Sequence, residues 1–485
     1  MRKQSANVLH LLLAVCLAVS MLSFSGAAQD SSPPRPEEWF LTHVTVINVR
    51  TGNEQPESTI RFQQDRIREI NSGSHKLPPN AKEVDGRGAF VIPGLWDMHA
   101  HALIEDPPKT YFRMMIANGV TGFRDMGGPY SGKRVEELRQ QIADGKLLAP
   151  RFIAAGPIVD GPKPTWPFSI AVTTTDDARA AVDKVVSDGF DFVKVYDGIP
   201  RDAYFALAAE AKQKKFAFAG HLPMAVTPLE ASNAGQKSLE HLNLIAAGCS
   251  PRETELLARL AKADAEHNRA EENALWELMI STYDETKAAQ LFAAFVRNQT
   301  WQVPTLVVLQ QFSRYRDSAL QDDPRMKYVT PEWKKLWDPA SDFRFKDYTE
   351  NDWQYLKKMV DFRSSKLTRE MHSAHVAFLA GTDIPNPYTF AGFSLHDELE
   401  LLVKAGFSNL DALQTATLNP AIFLDRQGDL GTVESGKFAD LVLLGADPLK
   451  EISNTRNIQA VVVSGRYLDR AALDKLLAEA EAAAK

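Results

Sequence analysis

The sequence predicts an α/β protein: a (β/α)8 TIM barrel joined to a small β-sandwich that both ends of the chain build. Three observations lead there. Between about residues 90 and 425, eight apolar, strand-like runs alternate with helix-competent stretches. Five of those runs end at or near His99, His101, Lys194, His221, His241 and Asp383. Both ends of the chain carry short period-two runs separated by Gly, Asn and Ser, the pattern of antiparallel strands.

Taken in order, residues 1–28 read as a secretory leader. Arg2 and Lys3 precede an almost unbroken apolar run over 8–22, and Gly26, Ala27 and Ala28 offer small residues for cleavage. The apolar run is shorter than the ~20 residues that span a bilayer, which disfavours a retained anchor. A Pro-rich stretch (31–39) leads into alternating runs at 40–47, 59–62 and 66–70, with counterparts at 439–444 and 458–463. These define a composite β-sandwich over 36–92 plus 425–468. The barrel is expected over 93–424, with strands at 89–96, 120–126, 151–159, 191–197, 216–221, 238–242, 302–308 and 376–382. Helices are expected at 134–144, 201–214 and 395–405, and the Ala/Glu-rich tail 469–485 forms a C-terminal helix. An open doubly wound sheet is the alternative, but it would not bring ends of strands 1, 4, 5, 6 and 8 to one point.

Two connections are long. Residues 249–300 follow the sixth run, and 309–375 follow the seventh with many aromatics, among them Trp333, Trp337, Phe343 and Trp353. Helices packed on the barrel rim are the favoured reading of that stretch. A substrate lid or a contact between copies in a homo-oligomer is the other.

Composition narrows the partners. At 485 residues, 44% apolar and 24% charged, the chain is long enough for a barrel and a second domain. The net charge of -7 offers no basic field for nucleic acid. No membrane span is expected once the leader is removed. Cys16 falls in the leader, which leaves Cys249 and no internal disulfide; the expectation is an exported protein, periplasmic or secreted.

His99 and His101 are two residues apart in WDMHAH, so both imidazoles share one strand face and can bind one ion. Lys194 lies in FVKVY between two valines, where desolvation favours the neutral amine. Such an amine reacts with CO2 to give a carbamate able to bridge two cations; an ordinary snorkelling lysine is the plainer reading. His221 (FAGH) and His241 (SLEH) complete a second metal site, and Asp383 (LAGTD) both ligates the first metal and accepts the proton of a bridging water. Zinc leads on donor type, with Mn, Co or Fe also compatible. Tyr196 shares a face with Lys194 and is a candidate for substrate binding. Arg124 (TGFRDM) is a second, through its planar fork, although pairing with Asp125 or a neighbour would also explain it. His396 reads as structural, and His372 and His375 fall on a helix away from the mouth. Cys249 has no activating context, and no P-loop or dinucleotide fingerprint is present.

The series VIPGLWDMHAH, FVKVY, GH, EH and GTD resembles the amidohydrolase superfamily with a carboxylated-lysine binuclear centre. GKFADLVLLGADPL (436–449) is similar to the small β-sandwich those hydrolases build from both termini. The Lys194–Tyr196 segment and LHDELELLVKAGFSNLDALQTATLNPA (395–421) resemble the imidazolonepropionase-like and Xaa-Pro dipeptidase (prolidase-like) branch. The resemblance implies hydrolysis of an amide, a dipeptide such as Xaa-Pro or an N-acyl amino acid, by metal-activated hydroxide. One departure stands out: many members carry Gly-Gly-His in the third-strand loop, where this chain has GPIVDGPKPTWP (156–167) with Trp166. Two other readings stay open, a mononuclear cyclic-amide hydrolase and a non-catalytic exported binding protein.

Overall fold

The computed structural model describes residues 38–73, 76–106 and 108–485; the expected leader lies outside them. The chain starts with five strands, β1 (Glu38–Ile47), β2 (Glu54–Gln63), β3 (Arg66–Ser72), β4 (Glu83–Asp85) and β5 (Phe90–Pro93). Alternation along β1 buries Trp39, Leu41, Val44 and Val46 in an apolar cluster that also takes Leu441, Leu443, Ala460 and Val462 from the far end of the chain.

The chain turns out of this sheet at Gly94, where a Cβ would overlap the Thr121 side chain at 1.9 Å. The predicted strand 89–96 is therefore two strands in two different sheets. β6 (Leu95–Ala100), β7 (Val120–Asp125) and β8 (Arg151–Ala154) form one parallel arc. β9 (Val159–Asp160), β10 (Ile170–Ala171), β11 (Val193–Val195), β12 (Phe218–Gly220), β13 (Ser238–Glu240) and β14 (Trp301–Val303) form a second parallel arc, ordered β10-β9-β11-β12-β13-β14. β8 and β9 lie on one continuous run, and Asp191 N–H donates to Ala154 O between the arcs. On the other side, segment 376–384 makes single parallel bridges to both arcs, Gln302 with Phe378 and Ala100 with Ile384.

Two expected barrel strands differ. The run 302–308 stops at Val303, because Thr305 adopts a left-handed conformation and a helix begins at Leu306. The run 376–382 has no regular ladder: its backbone bonds alternate between β14 and β6, and the 376–384 segment ends at the left-handed Asp383.

β15 (Leu441–Leu444), β16 (Ile458–Val463) and β17 (Arg466–Asp469) return to the first sheet, giving eight strands in the order β17-β16-β15-β5-β1-β2-β3 with β4 beside β1. The Trp39 indole N–H donates to Gly465 O at 3.2 Å, which draws the distant strands towards each other. The chain closes with the helix Arg470–Ala483, capped by Asp469 and packed on the helix Lys109–Ala117. The long connection after β13 forms the helices Glu253–Ala265, Arg269–Ser281 and Glu285–Asn298; the one after β14 includes Pro331–Leu336 and Glu350–Phe362. Among the described residues no helix is long and apolar enough to cross a membrane.

Candidate metal centre

Parallel strands present their carboxyl ends on one side, and that side gathers the predicted residues. Asp97, His99 and His101 alternate along and just past the end of β6 and share a face. The Asp383 carboxylate lies 3.4 Å from Nε2 of both His99 and His101, and its other oxygen is 4.0 Å from His241 Nδ1. Ring centroids of His99 and His241 are 4.5 Å apart, and those of His221 and His241 4.8 Å. The donor atoms of His99, His101 and Asp383 all fall within 4.8 Å of one another, a spacing one cation could bridge. Gly381 makes this approach possible: a Cβ there would lie 2.7 Å from His99 Cβ and 2.9 Å from its backbone nitrogen.

His241 and Asp383 both hold left-handed backbone conformations, with φ of 60° and 59°. Non-glycine residues adopt that region at a cost of about 1–3 kcal/mol each, and such strain concentrates at functional sites.

Each imidazole is held by a second partner on its outer side. His99 Nδ1 meets Glu240 at 2.7 Å and His221 Nδ1 meets Asp197 at 3.0 Å, while His241 Nδ1 meets the Thr305 hydroxyl at 2.7 Å. His101 Nδ1–H donates to Gly127 O at 2.7 Å, which leaves its Nε2 bare towards Asp383. Asp97 accepts from Thr382 N–H at 3.0 Å and from its hydroxyl at 2.5 Å, tying β6 to the GTD segment.

Electrostatics favour neutral His99 and His241 beside an ionised carboxylate, whereas at His101 burial is outweighed by Asp383 and the pKa is raised. Burial, and for His99 the nearby Lys194 ammonium, lowers the pKa of His99; burial and the neighbouring His99 bring that of His241 well down. Burial works against ionisation of Asp383, but His99, His241 and His101 outweigh it and hold the carboxyl well below the usual range. Lys194 is fully buried with no hydrogen-bond partner on Nζ among the described residues, and burial brings its pKa down to about 8 against the opposing pull of Glu240 and Asp383. Among the same residues buried His99 Nε2, with Asp383 no nearer than 3.4 Å, makes no well-aligned hydrogen bond. Orphaned nitrogen atoms beside a carboxylate fit a divalent cation, which would complete their coordination.

Tyr196 stacks on His221 with centroids 4.1 Å apart, and its hydroxyl accepts from the Trp166 indole at 3.3 Å. Trp166 in turn meets the exposed ring of Phe343 edge-on at 6.2 Å. Loop 156–167, where the family resemblance breaks, thus touches the 309–375 connection beside Tyr196. The rest of that connection packs as rim: Phe345 and Trp353 stack at 5.5 Å, and Trp337 is buried against Tyr388 and Phe390.

Arg124 is not at the mouth as a reader of substrate carboxylate: it is fully buried, and ion pairing with a neighbour, the more common explanation of such an arginine, is what holds it. Its guanidinium donates to Glu240 at 2.9 and 3.1 Å, to Ser238 Oγ at 2.9 Å and to Met98 O at 2.6 Å. Mid-strand position aims it across the interior, beneath the imidazoles, where Glu240 is its counter-ion. His396 is structural, bridging Thr455 and the Asn118 carbonyl, and His372 stacks on Phe407.

Several residues of the site escaped the sequence reading: Glu240, Asp97, Asp197, Thr305, Thr382 and Arg344. Glu240, Asp97, Asp197 and Thr382 lie within three positions of a predicted ligand, so adjacency is their signal in the sequence. Arg344 had none. Its guanidinium is tied to Asp342 and donates to Asn386 Oδ1 at 2.7 Å, and Asn386 donates to the Asp383 carbonyl at 2.8 Å.

Fold and site together are similar to those of amidohydrolase-type hydrolases, in one stretch of sequence and in overall fold. Residues 363–468, a stretch that includes Asp383, match the Amidohydrolase family. The fold is similar to a putative prolidase from Bifidobacterium longum at 24% identity and a TM-score of 0.67, covering 92% of this chain and all of that one. It is similar to a bottromycin amidohydrolase at 23% identity and 0.67, covering 93% and 91% of the two chains. An Xaa-Pro dipeptidase with bound methionine aligns at 20% identity and 0.63, over 89% of this chain and all of its own. No curated protein sequence matches this chain.

Proposed function

We propose that the protein is an exported, metal-dependent amidohydrolase that cleaves the amide of a dipeptide, such as Xaa-Pro, or of an N-acyl amino acid. The observation that carries the reading is the Asp383 carboxylate, 3.4 Å from the Nε2 atoms of two imidazoles and 4.0 Å from a third ring. This reading takes the two parallel arcs as one (β/α)8 barrel and the terminal sheet as its β-sandwich. It takes residues 1–28 as the leader that sends the chain to the periplasm or outside the cell.

His99, His101 and Asp383 would hold one divalent ion, and Lys194, His221 and His241 a second, with zinc the best match to these donors. When bound, the ions lower the pKa of water towards ~7 and polarise the scissile carbonyl. The chain's own residues do the rest. Asp383, ionised at neutral pH, takes the proton from the attacking water and is placed to pass it to the leaving nitrogen. The neutral Lys194 amine adds to the carbon of CO2 and loses a proton, giving a carbamate anion that suits a bridge between two cations. Asp197 and Glu240 keep the rings of His221 and His99 oriented.

Tyr196, Trp166 and Phe343 give the mouth an aromatic wall, which suits an apolar flank of the amide. Arg344, about 29% exposed, takes over the role first expected of Arg124: a cation near Asp383 for a substrate carboxylate.

The test pairs metal content of the purified protein with turnover of an Xaa-Pro and N-acyl amino acid panel, for the parent and Asp383→Asn. About two metals per chain, turnover abolished by chelator, and a loss of at least ~10³-fold in the variant with circular dichroism unchanged are expected. Equal turnover in Asp383→Asn would overturn the mechanism. Metal without turnover on any amide would favour a binding protein.

A further inference from the structure

On the amino-terminal side of the parallel strands, away from the imidazoles, the structure holds a second cavity of about 500 Å³. That is within the ~300–1,000 Å³ of small-molecule sites. Trp96, Phe152 and Phe192 wall it from the strands, and Phe423 and Phe438 from the segment leading back to the terminal sheet. Arg124 and Glu240 separate it from the metal centre: the Arg124 guanidinium lies 5.7 Å from the Phe192 ring and 5.1 Å from the Phe423 ring, with Glu240 and His99 beyond.

Four cations line this cavity, and three of them are ion-paired. Arg139 binds Asp191, Arg151 binds Asp440 at 2.6 Å and Arg426 binds Asp429 at 2.7 Å. Lys237 is different. It is half-buried just before β13, with Nζ 4.6 Å from the Phe423 ring centroid. Among the described residues no carboxylate oxygen comes within 4.0 Å of it, and its ammonium has no hydrogen-bond acceptor from a side chain or the backbone. Burial and the like charge of Arg124 both disfavour its protonated form, with Asp425 opposing them. A partly desolvated ammonium in an aromatic chamber is left without a counter-charge from the protein.

We infer that this chamber is a binding site for an amphipathic monocarboxylate, its carboxylate on Lys237 and its apolar body among Trp96, Phe192 and Phe423. A single carboxylate matches the one uncompensated charge and accepts from the ammonium. An aryl or alkyl body removes aromatic wall from water, worth roughly 25 cal/mol per Å² of apolar surface. A dianion would exceed the available charge, and a neutral ligand would leave the ammonium unmatched. The inference is independent of the proposed hydrolysis, because it concerns the opposite side of the strands.

Calorimetric titration of the full protein with 4-phenylbutyrate tests it, with 4-phenylbutanamide as the neutral control. Binding of one acid per chain is expected. The affinity should fall at least ~10-fold for the amide and for Lys237→Gln, and hold in Lys237→Arg. Ala217→Phe, which fills the chamber and keeps the lysine, should weaken binding equally and decides the matter if Lys237→Gln fails to fold. Binding must also survive chelator treatment. No saturable binding, equal affinity in Lys237→Gln and Ala217→Phe, or binding lost with the metal would each overturn the site.

Discussion

Glu240 has Arg124 on one side and the His99 imidazole on the other, and all three are at most 1% exposed. Burial opposes the Glu240 carboxylate, but the Arg124 charge and His99 overcome it and keep the carboxyl ionised. Arg124→Leu would strand that charge, and removing one member of a buried pair costs about 3–5 kcal/mol. Urea denaturation should show a loss of that order, and metal affinity should fall because Glu240, the partner of His99, is no longer held in place. Glu398 poses the opposite case. It is fully buried, with one oxygen accepting from Val307 N–H at 2.7 Å and the other unpartnered, and burial raises its pKa from 4.5 to about 8. The folded state therefore binds this proton more tightly than the unfolded chain. Its contribution to stability is complete below about pH 4.5 and is lost as pH rises through about 8. Glu398→Gln cannot ionise, so it should match the parent near pH 5 and exceed it by a few kcal/mol near pH 9. Thermal melts across that range check it; a gain of equal size at both pH values would refute the assignment.

Short strands with sharp exits explain how the elements aim the site. β11, β12, β13 and β14 have three residues each, and Lys194 sits mid-strand while His221 and His241 come directly after a strand end. Left-handed turns at His241, Thr305 and Asp383 then swing side chains inward, where continued strand would alternate them away. The 309–375 connection is mostly aromatic packing, but at its inner edge Phe343 and Arg344 reach the mouth. Arg344→Lys keeps the charge near Asp342 and loses the planar fork. For a substrate with a free carboxylate, KM should rise about tenfold with kcat little changed. The corresponding C-terminal amide should show no such rise. A parallel effect on both substrates would make Arg344 a structural group only.

At the scale of the whole molecule, the terminal sheet is fastened to the parallel arcs by Arg151, which pairs with Asp440 at 2.6 Å and lies 3.6 Å from the Phe438 ring centroid. The last helix clamps a different place: Leu473 and Ala480 are buried, and Glu479 meets Arg113 at 3.0 Å on the helix Lys109–Ala117. A chain ending at Asp469 would expose that face, forfeiting about 1.5–3 kcal/mol for the leucine alone. Its melting temperature should drop by several degrees while KM and metal content stay as in the full chain. A changed KM would mean that the clamp reaches the site.

The sequence by itself carried the α/β class and a set of candidate ligands at the ends of strand-like runs. Hydrophobic period, strand length and residue type at strand ends are local properties, and His99, His101, Lys194, His221, His241 and Asp383 all carry them. It also carried the amidohydrolase resemblance through motifs a few residues long. Tertiary structure decided what depends on distant parts of the chain meeting. Arg124 finds Glu240 across 116 positions and is drawn inside, so the cation at the mouth is Arg344 instead. The split of 89–96 between two sheets follows from the contact of Gly94 with Thr121, which no local pattern records. The chamber at Lys237 exists because Phe423 and Phe438 return to the floor of strands formed hundreds of residues earlier. Charge pairing and cavity shape are long-range outcomes of packing, and a one-dimensional pattern encodes them only once the chain has folded.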